Sequence, residues 1–283
     1  MQPRTDYPDT GRYALTDHKT VGPLFGSAVK IWLSKPSVFI VAALVVILPM
    51  ELLFTGLLGG GFNDPEGLAT PEWEVVDTLV VSLIGASLVT AAHARAVVAL
   101  AAGENVRTGS ALRLGGGAFL TVLGAALCYT LATIAGMLAL IVPGIYLSVA
   151  LLFGPQIAAL TNTGPLDSLS SSYRLVRAAG WWRTFGYSIL IFVLALVPAL
   201  LLAIPILLLS ELIGDPSVAG PISVVVGGVV LALIYSFTAL VQSLLYFSYR
   251  AKVGDPWASD AAVGAPDLEA GADWDPSKSE ALH

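Results

Sequence analysis

The distribution of positive charge constrains this chain more than any other feature. All fourteen Lys and Arg fall in four places. Five lie in residues 1–37. Three (Arg95, Arg107, Arg113), then three more (Arg174, Arg177, Arg183), lie between apolar runs, and the last three are Arg250, Lys252 and Lys278. Between these clusters run six apolar stretches, residues 38–58, 76–97, 119–142, 145–160, 184–209 and 221–247. A helix of about 20 apolar residues crosses a hydrocarbon core of about 30 Å. The connections after the first, third and fifth stretches hold no Lys or Arg, while Asp64, Glu66, Glu72, Glu74, Asp77, Glu211 and Asp215 lie in or beside them. Cytoplasmic connections of membrane proteins concentrate Lys and Arg. The pattern therefore predicts six spans of a cell membrane with both termini cytoplasmic, since an odd number of spans would mix the two kinds of connection.

Composition points the same way. Only 12% of the 283 residues are charged and 56% are hydrophobic, where a soluble domain carries about a quarter charged residues. A transmembrane barrel would alternate apolar and polar residues, and these stretches do not. The expected fold class is all-α: a polytopic membrane protein with six transmembrane helices and short interfacial amphipathic helices. Residues 1–20 are expected to be a disordered cytoplasmic N-terminus, 21–252 the membrane domain, and 253–283 an acidic disordered tail. A single cysteine, Cys128, excludes an intramolecular disulfide.

A weak repetition runs through the domain. Val21–Lys35 is amphipathic, with Val21, Leu24, Phe25, Ala28 and Trp32 on one face, which suits the headgroup plane. Its SAVKIWL from Ser27 has counterparts in SALRL from Ser110 and SSYRLV from Ser171, each ahead of a pair of spans. Pro49, Pro143 and Pro198 then fall in or just after the next span. The reading is three helix-plus-hairpin units. Spans three and four are separated only by Pro143-Gly144, so this pair is expected to form the tight turn of a hairpin.

One region resembles a known family. The residues are Pro143-Gly144-Ile145-Tyr146-Leu147, Leu169, Ser172-Tyr173-Arg174-Leu175-Val176, Trp182-Arg183 and Phe185-Gly186. They resemble the membrane domain found beside glycerophosphoryl diester phosphodiesterases and alone in many prokaryotic membrane proteins. The opening VGPLFGSAVKIWLSKPSVF with Pro49, and the ending Leu245-Tyr246-Phe247 to Tyr249-Arg250, agree with it, so the resemblance covers residues 20–252. It implies a non-enzymatic module, scaffolding or lipid-facing, because the phosphodiesterase reaction belongs to a separate soluble barrel of about 250 residues. It supplies no catalytic residues.

Two sets of candidate residues follow. Arg174, Arg177 and Trp181 share one side of an expected 166–183 helix that ends at Trp182 and Arg183, and such a helix can grip anionic lipid headgroups. The plainer alternative is that these residues only fix topology. Alternatively, a polar path for a small transporter or channel could use Thr238, Gln242 and Tyr246 on span six, the small and polar faces of spans two and three, and Glu51. The competing account of those stripes is helix packing. His93 and Arg95 read as flanking residues at the end of span two. Gly59-Gly60-Gly61 and Gly115-Gly116-Gly117 read as loop hinges. No HExxH, nucleophile elbow or Walker loop occurs, so no catalytic residue, metal or cofactor is expected. Membrane lipids are the expected partners, without nucleic acid, and no protein partner is indicated.

Overall fold

The computed structural model describes residues 20–58, 79–161, 163–213 and 215–254, and every regular element among them is helical. The expectations for the two tails, and for most of the acidic connection after span one with its Gly59-Gly60-Gly61 run, lie outside the described residues. Helix α1 (Val21–Ser34) stops at Lys35, where Pro36 restricts the preceding backbone and starts α2 (Pro36–Glu51) at a position that needs no N–H donor. Pro49 donates no backbone hydrogen bond, and just beyond it the chain widens into π-helical turns over Leu52–Leu58. The next span opens in π-helical turns (Val80–Gly85) and continues as α3 (Ala86–Ala101). There follow α4 (Thr108–Gly116), α5 (Phe119–Ala139), α6 (Ile141–Ala150), α7 (Gly154–Thr161), α8 (Pro165–Ala179), α9 (Trp181–Ile213) and α10 (Pro216–Lys252).

Six stretches are long and apolar enough to cross a membrane: Pro36–Leu58, Val80–Ala101, Phe119–Ala139, Ile141–Thr161, Trp181–Ile206 and Val218–Lys252. The protein is a multi-pass helical membrane protein. Large apolar side chains on its outside, such as Leu138, Val142, Leu201 and Leu212, are 72–83% exposed, as a lipid-facing surface requires.

The hairpin between spans three and four does not turn at Pro143-Gly144. The chain reverses at Leu140, the single extended residue (φ −166°, ψ 150°) between α5 and α6. Pro143 lies in the first turn of α6, where a missing N–H costs nothing. Gly144 is helical and serves close approach. A Cβ there would stand 2.5 Å from Met137 Cγ, and one on Gly136 would stand 2.9 Å from Gly144 Cα. Facing glycines let two backbones pack where lipid offers no hydrophobic drive.

The three units close into a ring. Helix α4 folds back on α3, α8 folds back on α7, and α1, at the start of the chain, packs on α10 at its end. Each leading helix thus lies on the last helix of the unit before it. The apolar face of α1 is therefore covered by protein. Leu24, Ala28 and Ile31 are buried at 1%, 0% and 3% exposure, and Trp32 meets the Phe237 ring edge-on at 5.7 Å. At 37 residues, α10 is longer than one bilayer crossing and gives α1 a protein surface to cover.

Candidate functional site

The basic and aromatic candidates sit at an elbow. The expected 166–183 helix is two helices, α8 and α9, joined by Gly180 at φ 109°, ψ 112°, a backbone state open to glycine alone. Leu169, Leu175, Val176 and Ala179 bury one face of α8, which leaves Arg174 and Arg177, three residues apart, exposed on the other. Arg183 is exposed on the first turn of α9, and Trp182 is 78% exposed beside it. Trp181 instead faces the protein. It stacks on Tyr146 at 5.6 Å and on Phe185 at 5.3 Å, and donates Nε1–H to the Tyr146 carbonyl at 3.2 Å. Lys252 Nζ donates to the Ala179 carbonyl at 3.0 Å, so a fourth cation docks on the C-terminal end of α8.

Helix α8 also repairs a break in span four. Residues 151–153 leave the helix, which strands backbone groups inside the protein. Ser172 Oγ donates to the Ala150 carbonyl at 3.1 Å and accepts from Phe153 N–H at 3.0 Å. A hydroxyl is the one small side chain that can do both. Sequence reasoning treated Ser172 as part of a basic motif and missed this role; the signal was Gly154-Pro155, which breaks a helix just before it.

The polar residues of α10 divide into separate contacts. Ser236, fully buried, accepts from Trp32 Nε1–H at 2.9 Å, so its own hydrogen is free for His93 Nε2 at 3.1 Å. His93 is 1% exposed and meets the Phe39 ring edge-on at 5.1 Å. It is therefore a core residue and not a flanking one, because α4 folds back over this turn. Gly115 is the point of closest approach: a Cβ there would lie 2.6 Å from Ala92 N. Gly115 and Gly116 form the last turn of α4 instead of a loop hinge. Gln242 accepts a hydrogen bond from Gln156 Nε2–H across to α7. Tyr246 accepts from Arg250 Nη1 at 2.7 Å, and Arg250 is only 5% exposed.

Glu51 lies on span one and packs against α10 at Gly228. Its Oε2 accepts from Thr55 Oγ1 at 2.7 Å, and its Cγ would stand 3.3 Å from a Cβ on Gly228. Gly228 is ten residues from Thr238, or about 15 Å along α10. Of the residues expected to line a path, Glu51 thus meets α10 at a different level from Thr238, Gln242 and Tyr246. The i, i+4, i+8 spacing put the last three on one helix face but gave no depth for Glu51 on another helix.

Residues 74–252 match the model of the domain of unknown function DUF7847, well over half of the chain. The chain belongs to the DUF7847 family. No curated protein and no solved structure matches its sequence. The DUF7847 match ends at Lys252, the last residue of α10, and includes both the elbow and the polar face of α10.

A structural linchpin of the DUF7847 region is Arg95. It donates Nε–H to the Ala159 carbonyl at 2.8 Å and Nη1–H to the Leu114 carbonyl at 3.1 Å, tying α3 to α7 and α4. Lysine has no fork to span two carbonyls. Arg95→Lys is expected to cost about 2 kcal/mol, the worth of one charged hydrogen bond. Thermal unfolding in detergent would measure it, and an unchanged midpoint would refute this account.

Proposed function

We propose that the protein is a non-enzymatic membrane module that holds anionic phospholipid headgroups at the α8–α9 elbow, on the cytoplasmic side, with both termini on that side. The observation that carries this reading is the exposure of Arg174, Arg177, Arg183 and Trp182 where span five begins. Arginine forks match phosphate geometry, tryptophan prefers the headgroup layer, and each basic residue near an anionic surface contributes about 1 kcal/mol. The packed face of α8 is used up on the protein, so the arginines are presented by a fixed helix. A role without chemistry also accords with the resemblance of this region to a membrane domain that stands beside a separate catalytic barrel.

Native mass spectrometry of gently extracted protein tests the proposal. Bound phosphatidylglycerol or cardiolipin is expected on the wild type and should fall about tenfold or more in Arg174→Ala/Arg177→Ala, from the loss of about 2 kcal/mol. The melting temperature should stay unchanged, because neither side chain packs against the protein. Equal lipid retention by the double variant would overturn the reading.

A further inference from the structure

We infer that the cavity between the span-four break, α9 and α10 is a binding site for the carbonyl end of an acyl chain. The cavity measures about 220 Å³, with walls formed by Leu152, Ile191, Phe192, Ala195 and Ile234. An apolar cavity of about 150 Å³ already holds a benzene ring, so a short run of chain fits. Phe192 lines it and is also 64% exposed, so the cavity opens on the apolar outer face of α9, toward lipid.

Its polar pole is set by the buried amide pair. Gln156, 1% exposed, gives its Nε2–H to Gln242 Oε1, and its own Oε1 has no hydrogen-bond partner among the described residues. The Gln242 carbonyl is thereby occupied, while its amide hydrogens remain, on a side chain that lines the cavity. Thr238 also lines it, and its hydroxyl makes no hydrogen bond among the described residues. Ser188 Oγ has already given its hydrogen to the Thr184 carbonyl at 2.9 Å. The pole therefore offers donors from Gln242 and Thr238 against apolar walls.

This combination selects for one class of ligand. A cation finds no carboxylate among the lining residues, and a polyhydroxylated solute would leave its groups unpaired against the walls. A chain that is apolar except for an acceptor oxygen satisfies both parts, and an acyl carbonyl is that group. It can come as a free fatty acid or as the ester of a phospholipid. The site is independent of the elbow, since neither Arg174 nor Arg177 lines it.

The test uses the full-length protein in nanodiscs of an ether-linked phosphatidylcholine, which carries no acyl carbonyl, with a diazirine-bearing palmitate, irradiated and mapped by peptide mass spectrometry. Label should concentrate on residues 188–196 and 234–242. It should drop about tenfold in Thr238→Val and in the apolar exchange Gln156→Leu/Gln242→Leu, a loss of about 1.4 kcal/mol. Leu196→Trp, which fills the space, should abolish it. Thr238→Val keeps the side-chain shape, so its result stands even if the double variant misfolds. Competition by excess oleate alone assigns the site to free fatty acid, and competition by phosphatidylglycerol assigns it to phospholipid. Label spread over α5 and α9 in proportion to exposure, label unchanged in Thr238→Val, or label resistant to both competitors would overturn the inference.

Discussion

Trp32→Ala is expected to destabilise the protein by about 3–5 kcal/mol, the range for removing a large buried aromatic side chain. The side chain is 9% exposed, meets Phe237 edge-on, and holds the hydroxyl of a serine 204 positions away. Its removal opens a void between α1 and α10 and leaves Ser236 with His93 alone. Trp32→Phe keeps most of the packing and loses only the indole hydrogen bond, so its cost should be about 1 kcal/mol. Thermal unfolding of both variants in the same detergent would read the difference. If the alanine variant melted with the wild type, α1 would not be the piece that closes the ring.

The second large effect is expected at Gly115. An alanine methyl there would press on Ala92 N at 2.6 Å and Ala92 Cα at 2.8 Å, atoms of a helix backbone that cannot rotate away. Overpacking of this kind costs about 1–3 kcal/mol, and more where backbone must move. The neighbouring Gly116 meets nothing within 4 Å. Gly116→Ala should therefore be neutral or stabilising by about 0.5–1 kcal/mol, through the helix preference of alanine. Two alanine variants one residue apart should thus shift the unfolding midpoint in opposite directions. Equal shifts would show that α4 does not seat on α3 as described.

The charge clusters and apolar runs made the helical spans legible, because both are set by partition between water and hydrocarbon and need no knowledge of neighbours. The repeat was legible for a similar reason: Ser27, Ser110 and Ser171 each lie within a short helix (α1, α4, α8) that precedes a pair of spans. What escaped depends on pairing. Pro143 looked like a turn because proline ends helices in isolation, yet the same residue is accepted at a helix start, and only Leu140 shows the extended backbone. His93 looked like an interfacial residue because Arg95 lies two positions on, and nothing local shows that α4 returns to cover it. Ser172, Ser236 and Gln156 were invisible as site residues. Each acts on a group from a distant part of the chain, with separations of 22, 204 and 86 positions. At the elbow, Arg174 and Arg177 were correctly placed on one face, but Gly180 breaks the helix that was to join them to Trp181.

The ring closure also sets a schedule for biosynthesis. Helix α1 finds its binding face only after some 204 further residues have been made. At a usual elongation rate of 5–20 residues per second, that is a wait of roughly 10–40 s. Throughout it, Leu24, Phe25, Ile31 and Trp32 lack the α10 surface that helps to bury them in the folded protein. A product that terminates before α10 never gains that surface. Docking of α1 thus depends on synthesis of α10, and burial of the α1 face reports that α10 is in place.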